Sequence, residues 1–483
     1  MKILSTKRLV WIAAAVLVLA VAFLVIRPWM GGYAIRAALG MAGATDIKFR
    51  TIAARPTRVE VEDLEFRLQT HVFAARRLTL DRARWWRFTL GQVQVQGARV
   101  TLTIDGSDTN PWVWSTYQAE ATPAEPLSLP VESLVLDGEV TVRAALQPDQ
   151  RLVVKLEGAP KGKSDWVGTL VVDGPGFKLA GGGTLAGWGT QLDFQVHSAE
   201  LDLKTWQGFI QRNLLLPGGP WQLGGRLTGV AEGQVTARRF AATARVSLRD
   251  GRMQAGTQDV EAKGAEVELE FSDLWKFRTK SGVLRLQELR IGRLPLTEVT
   301  ADFGLWGEQT LTVNGAAFRA LGGQVEVAPF KYFLNQREVS STLQVAGLDL
   351  AKLLEMTPGV AVEAGGRVSG TLPLTIRPEG VRLATGNLVL QPGAAELTCS
   401  VTTLLRSGAT FTDDSLAVLK TTGTKPLRLR LNELRLDIRQ PELPLGCSAQ
   451  VHVAGLSEDG PVAFDYNING AIEKYLNILP GRP

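Results

Sequence analysis

Residues able to do chemistry are few and scattered in this chain. The nearest match to a phosphate-binding loop is Gly158-Ala159-Pro160-Lys161-Gly162-Lys163-Ser164. It has one residue too few between its glycines, and Pro160 interrupts it. It reads as a solvated loop. The glycine-rich stretch from Gly181 to Gly189 lacks the G-x-G-x-x-G spacing and lies between strand-like segments, so it reads as bends or bulges. His71, His197 and His452 are far apart, and none sits in an H-x-x-x-H or H-E-x-x-H setting. No G-x-S-x-G elbow occurs. Asp413 and Asp414 are adjacent, a spacing that points side chains to opposite faces of a strand, and they read as loop solvation. Cys399 and Cys447 fit either a disulfide in an exported protein or two buried thiols. The sequence therefore points to no catalytic residue, no metal site and no cofactor, and away from an enzyme.

Composition narrows the classes further. The chain has 483 residues, 45% hydrophobic and 21% charged, with 50 Gly. It is too long for one ordinary compact domain and too apolar for disorder. Lys plus Arg is 53 against 48 for Asp plus Glu, a net of +5, too weak to argue for nucleic acid. With 2 Cys and 3 His, neither a disulfide framework nor a zinc-finger array is available.

Residues Leu9 to Ile26 carry no charge, Pro or Gly. Such a run spans about 27 Å as a helix, close to the thickness of a hydrocarbon core. The anchor residues are Leu9, Trp11, Ile12, Leu17, Leu19, Phe23 and Ile26. Lys2, Lys7 and Arg8 precede the run, and Trp11 and Trp29 sit near its ends. Ala20-Val21-Ala22 fits a signal-peptide cleavage pattern, but the apolar run continues through it, so a retained transmembrane anchor is expected. The expected organisation is an anchor over 1–30, a juxtamembrane helix or linker over 31–49, a β-rich part over 50–195 and a β-rich repeat region over 196–483. The body then lies on the exported side of the membrane.

From about Arg50 the dominant period is two. Val267, Leu269 and Phe271 alternate with Glu266, Glu268 and Glu270, and Leu427, Leu429 and Leu431 alternate with Arg428 and Arg430. Each strand thus has one apolar and one charged face. Asp-Gly at 105, 137, 173, 250 and 459 and Asn-Gly at 314 and 469 read as hairpin turns of an antiparallel meander. Apolar residues also slip phase inside strands. Val59 and Val61 precede Leu64 and Phe66, Leu284 and Leu286 precede Leu289 and Ile291, and Leu429 and Leu431 precede Leu434 and Leu436. An odd step swaps the apolar face unless a bulge or tight bend absorbs it, and repeated bends suit a strongly curved sheet. Two short strands joined by a turn fit each single case equally well. Short helices are expected at Asp202–Arg212, Asp349–Met356 and Ala471–Leu476.

Gly224-Gly225-Arg226-Leu227-Thr228-Gly229 is repeated as Gly365-Gly366-Arg367-Val368-Ser369-Gly370. Upstream, Leu201-Asp202-Leu203 matches Leu348-Asp349-Leu350, and downstream Asp250-Gly251 matches Pro392-Gly393. Three landmarks in the same order predict a structural repeat, which extends a sheet in one dimension. The fold class expected is all-β with one N-terminal transmembrane helix, a long curved antiparallel sheet and few short helices. A large one-faced apolar sheet must be covered by another layer, closed into a barrel, or curled around apolar ligand.

The anchor, the meander, the Leu-Asp-Leu helix at 348–354 and the strand Gly365-Gly366-Arg367-Val368-Ser369-Gly370-Thr371-Leu372-Pro373-Leu374 resemble AsmA-like and TamB-like bridge proteins, most of all the YdbH type. Leu321-Gly322-Gly323-Gln324-Val325 and Gly386-Asn387-Leu388 through Pro392-Gly393 support the resemblance, which is specific over roughly residues 240 to 400. It implies a taco-like β-groove, anchored in the bacterial inner membrane by a single pass, with its bulk in the periplasm. Such a groove would conduct phospholipid acyl chains passively and maintain the outer membrane. Its candidate lumen residues are Leu134, Leu136, Val325, Val327, Leu372, Leu374, Ile376, Leu388 and Leu390, each equally compatible with an ordinary packed core. Roughly thirty strands at about 4.8 Å each would give a groove on the order of 140 Å, so an outer-membrane or periplasmic protein partner is expected. The alternative that the resemblance allows is a TamB-like scaffold assisting outer-membrane protein assembly.

Overall fold

The computed structural model describes residues 36, 39–40, 44–55, 58–68, 71–81, 90–104, 131–144, 149–162, 165–186, 191–208, 210, 221–236, 239–255, 260–274, 276–291, 294–307, 310–333, 339–355, 362–377, 380–383, 385–406, 409–422, 425–439 and 448–469. The expected transmembrane anchor, Leu9 to Ile26, lies outside these residues, as does the expected helix at 471–476. Among the described residues no helix is long and apolar enough to cross a membrane. The chain is all-β, a long mixed sheet with few short helices. It divides into two units: residues 1–213 with 228–242, and residues 214–227 with 243–483.

The first unit holds β1 (Ala44–Arg55), β2 (Arg58–Leu68), β3 (His71–Asp81), β4 (Leu90–Ile104), β5 (Val131–Ala144), β6 (Gln150–Lys161), β7 (Asp165–Gly174), β8 (Phe177–Ala186) and β9 (Gln191–Asp202). The division between units falls within β10 (Trp221–Thr236) and β11 (Arg239–Ala255). From β1 to β9 each strand pairs with the next. The expected antiparallel meander is interrupted once, because β4 and β5 run parallel. Parallel neighbours need a connection of a dozen residues or more, and segment 105–130 supplies that length.

The second unit continues with β12 (Val260–Asp273), β13 (Arg278–Ile291), β14 (Leu294–Leu305), β15 (Thr310–Ala320), β16 (Gly323–Val327), β17 (Phe330–Phe333) and β18 (Val339–Asp349). Then come α1 (Leu350–Glu355), β19 (Val362–Gly365), β20 (Arg367–Arg377), β21 (Gly380–Leu383), β22 (Gly386–Leu390) and β23 (Glu396–Ser400). The unit ends with α2 (Val401–Arg406), β24 (Thr410–Phe411), α3 (Asp413–Thr422), β25 (Pro426–Arg439), β26 (Ser448–Ser457) and β27 (Gly460–Asn469). One apolar cluster, from Ala262 to Phe464, forms its core. Its fully buried members include Val368, Leu388, Leu427 and Leu429. The helices pack on β18, β19, β23 and β27, and bury Leu350, Leu404 and Leu419 in this core.

The phase slips mark real bends. Asp63 takes a left-handed φ of 51° between Val61 and Leu64, and Val59, Val61 and Leu64 are all buried, so apolar residues stay covered on both sides of the slip. Two strands along, Gly97 has φ 61° where β4 passes Arg76 of β3. In the second unit Gly225, Asp250, Gly264 and Glu298 are left-handed. The Gln287 side chain lies over Gly264, where no Cβ stands in its way, and Glu298 sits between Thr297 and Val299 opposite Glu288 and Leu286. Leu284, Leu286, Leu289 and Ile291 all join one cluster across that crease. In β25 the slip coincides with a register shift between Leu431 and Glu433, and Leu429, Leu431, Leu434 and Leu436 are all buried. A left-handed residue or a bulge adds the odd step and turns the strand, so the apolar face is kept.

Several local expectations need correction. Asp137-Gly138, Asp250-Gly251 and Asn314-Gly315 lie within β5, β11 and β15, beside register shifts rather than at hairpin turns. Residues that tolerate left-handed backbone serve bulges as readily as turns. Asp173-Gly174 and Asp459-Gly460 do flank hairpins, while Gly106 and Gly470 lie outside the described residues. Asp413 and Asp414 are not loop residues: they open α3, where carboxylates favour the positive end of the helix dipole. The helix expected from Asp202 is described only in part: 203–206 form turns, 207, 208 and 210 are helical, and Ile210 N–H donates to the Trp206 carbonyl at 3.0 Å, while 209 and 211–212 lie outside the described residues; Asp349 introduces α1. The outward face is less uniformly charged than expected, with Val153, Val167 and Val171 exposed on β6 and β7.

Of the repeat landmarks, the Asp and Gly-Gly-Arg positions match in conformation. Asp202 accepts from Lys204 N–H at 3.1 Å and Asp349 accepts from Ala351 N–H at 2.9 Å. The second glycine of each Gly-Gly-Arg is left-handed, with φ 116° at Gly225 and 124° at Gly366. The third landmark does not match, since Asp250 is inside a strand and Pro392-Gly393 is a bend.

Candidate functional site

The candidate site is a surface rather than a cluster. In the first unit, cross-strand pairing aligns Val61, Leu78, Val95, Leu136, Leu156, Leu170, Gly181 and Val196 in a single row from β2 to β9. A second row on the same face runs Val59, Leu80, Val93, Leu134, Gly158, Gly168, Gly183 and Phe194. Residues opposite one another across a ladder share a face, so these rows make a continuous apolar strip. At the β2 end Val59 and Val61 are buried with Phe49, Leu78 and Leu80 around them. Beyond β2 the strip is half-buried: Leu78, Leu80, Val93 and Val95 on β3 and β4, then Leu134, Leu136, Leu156, Leu170, Phe194 and Val196 from β5 to β9.

Glycines thin the middle of this strip. Gly158, Gly168 and Gly183 stand in consecutive register on β6, β7 and β8. A Cβ on Gly183 would lie 2.6 Å from the Asp193 carbonyl oxygen, so the backbone there tolerates no side chain. A register shift between Ala180 and Gly181 confirms a bulge in the glycine run. The segment compared above with a phosphate loop is the end of β6 and its turn, with Gly162 left-handed at φ 83°.

In the second unit the row Leu248, Val267, Leu284, Ala301, Ala316, Val327, Leu343 and Leu372 crosses from β11 to β20. A companion row on the same face runs Phe318, Val325, Val345, Gly370, Leu388, Leu436, Val451 and Tyr466. Val325, Val327, Leu372, Leu374, Leu388 and Leu390 therefore occupy one face, as does the backbone position of Ile376, whose side chain lies outside the described set. Their exposure differs. Val325, Leu372, Leu374 and Leu388 are buried in the core, whereas Val327 and Leu390 are half-buried, like Leu134 and Leu136. The sequence reading missed Leu156, Leu170, Phe194 and Val196, although the alternation Leu152, Val154, Leu156 was the signal for that region.

The opposite face carries charges in cross-strand sets. Glu62 accepts from Arg50 at 2.7 Å and Arg77 at 3.0 Å, and these guanidiniums hold its carboxyl below the usual carboxylate range. Glu261 pairs with Lys263 and Arg290 at 3.0 Å each. Asp193 is held low by amide donation from Gln234 and Gln191. Exposed pairs of this kind contribute little stability but keep the face wetted.

Among the described residues the polar side chains form pairs and triplets rather than a larger constellation. His452 Nδ1 lies 2.7 Å from Asp465 Oδ1 across β26 and β27, remote in register from Cys399 on β23. Cys399 is a buried thiol pushed up to about 11 by its apolar surroundings, and Cys447 lies outside the described residues. Among the described residues no group of three or more His, Cys, Asp or Glu could hold a metal ion. A shallow pocket of about 490 Å³ lies at the second Gly-Gly-Arg, lined by Asp349, Arg367 and Gln391. Beside it Ser369 Oγ accepts from Gly347 N–H at 2.8 Å and from Gln391 Nε2 at 2.6 Å, so the Gln391 amide is spent on the strand junction.

A family model described as YdbH-like, intermembrane phospholipid transport protein YdbH, matches residues 30–398. The match reaches well upstream of the segment on which the sequence resemblance was most specific, and takes in the first unit's strip and the second unit's rows as far as Leu388, but not Leu436, Val451 and Tyr466. No curated protein and no solved structure matches the chain. A match over so much of the chain, to a family of cell-envelope lipid transporters, fits a site that is an apolar face rather than a reaction centre, and the chain belongs to the YdbH-like family.

Proposed function

We propose that the apolar strip is a conduit on which phospholipid acyl chains lie as they pass between the two membranes of a bacterial envelope. The observation that carries this reading is the run of half-buried apolar side chains over β5 to β9, Leu134, Leu136, Leu156, Leu170, Phe194 and Val196. An apolar face left partly open costs free energy in water and is recovered only by an apolar occupant. Of the lumen residues proposed from the sequence, the half-buried Leu134, Leu136, Val327 and Leu390 are best placed to touch lipid; Val325, Leu372, Leu374 and Leu388 are buried in the second unit's core, and Ile376 shares their face by register. In this reading residues 9–26 anchor the chain in the inner membrane, the body is periplasmic, flow is passive, and a further envelope protein completes the route.

Photo-crosslinking in cells tests it. A photoreactive residue at Leu156 should capture phospholipid, and one at its outward neighbour Lys155 should not. Lipid adducts at neither position would sink the conduit. Nascent outer-membrane protein captured along the strands, with no lipid, would favour the scaffold reading instead.

A further inference from the structure

One end of the second unit's strands carries groups that the apolar face does not use. The β12–β13 turn includes Lys276 and Phe277, and β14 ends beside Trp306 and Gly307. The two tips are tied together. Leu305 N–H donates to Thr279 Oγ1 at 2.7 Å, Arg278 and Trp306 form a bridge pair, and a Cβ on Gly307 would lie 3.9 Å from the Lys276 carbonyl oxygen. β17 prolongs this end, setting Lys331 opposite Thr312 and Phe333 opposite Thr310.

Trp306 is 61% exposed. Lys276, Arg278 and Lys331 are exposed and, among the described residues, have no ion-pair partner, although nearby Lys280 is 3.7 Å from Glu270. The nearest acid in the turn, Asp273, accepts from the Lys276 N–H at 3.1 Å. Tyr332 and Phe333 lie half-buried alongside. At the other end of β15, the turn to β16 is Leu321-Gly322, which has no indole and has the cation Lys352 of α1 beside it.

An exposed indole among cations that lack an ion-pair partner among the described residues matches the boundary layer of a bilayer. Amphipathic rings settle at headgroup level, and each Lys or Arg is drawn to an anionic leaflet. We propose that this end of the second unit docks on the headgroup layer of an anionic phospholipid membrane through Trp306, Lys276, Arg278 and Lys331. The dock is independent of the acyl-chain conduit and stands or falls without it.

The test uses the full chain with Cys447→Ser and Trp306→Cys, labelled with an environment-sensitive fluorophore. Buried Cys399 stays unlabelled in the folded protein. A second chain carries the label at Gln324→Cys, near the opposite strand ends. Each is mixed with phosphatidylcholine vesicles and with vesicles about one-third phosphatidylglycerol. The N-terminal apolar segment can bring the chain to either vesicle, but the label reports only its own position. The label at 306 should shift to the blue with the anionic vesicles alone, and the label at 324 should not. Adding Lys276→Ala and Arg278→Ala should weaken the response roughly thirty-fold, while Lys276→Arg with Arg278→Lys should keep it. An aqueous spectrum at 306, an equal shift at 324, or a shift indifferent to the alanine pair would overturn the proposal. So would reproduction of the shift by inorganic phosphate, which would mean a phosphate site rather than a membrane dock.

Discussion

Asp63 shows how single residues set the geometry of this sheet. Its φ of 51° lies in the left-handed region, where a Cβ meets the following carbonyl, yet the buried Val61 and Leu64 on either side depend on that turn to stay covered. Asp tolerates this conformation better than most residues, and a β-branched side chain tolerates it least. Asp63→Val should therefore destabilise the first unit by about 1–3 kcal/mol, while Asp63→Gly should be near neutral because the left-handed strain disappears. Thermal unfolding of both variants, followed by circular dichroism, checks this. Equal losses for Val and Gly would mean that the Asp carboxylate matters rather than its backbone. Alternating polarity in the sequence could announce a bend here, but it could not say whether a left-handed residue or a bulge made it. At Asp63 the two coincide, since the β1–β2 register also shifts between Lys48 and Arg50, whereas in β25 the register shift between Leu431 and Glu433 comes without a left-handed residue.

Strand pairing explains what was legible and what was not. The apolar faces of β12, β20 and β25 could be read directly, since every second residue is apolar and the period is unambiguous. The parallel step between β4 and β5 was hidden, because only the connection over 105–130 betrays it and its composition does not. Helices α2 and α3 were missed because a short run such as Asp413–Thr422 carries too few turns to establish a helical period. Periodicity also could not separate an open apolar face from a covered one. Leu388 and Leu156 sit in the same alternating pattern, yet Leu388 is 2% exposed and Leu156 half-buried. Leu388→Ala should cost about 2–5 kcal/mol, the range for a cavity in a closed core. Leu156→Ala should cost roughly 1 kcal/mol or less, because much of its surface already meets water. Chemical unfolding of the two variants measures the difference. Comparable losses would mean that the β5–β9 face is covered in solution.

The two units distribute stability unequally, and this bears on what lipid can do to the protein. The second unit has a closed cluster from Ala262 to Phe464, with helices docked on it and side chains such as Val368 and Val462 essentially removed from water. Among the described residues the first unit's tight cluster is around Val59 and Val61, and the β6–β9 part holds mostly half-buried side chains, with Leu152 and Trp206 buried, thinned by Gly158, Gly168 and Gly183. Local opening free energies follow buried apolar contact, so amides of β6 to β9 should exchange well before those of β20, β22 and β25. An occupant that binds only the folded strip adds its binding free energy to that strip's stability. Hydrogen exchange on the full chain, with and without bound phospholipid, should therefore show protection rising in β5 to β9 and staying nearly constant in β20 to β25. Protection that rises in both alike would place lipid against the closed core as well, and no change in β5 to β9 would remove the open strip as the lipid-bearing surface.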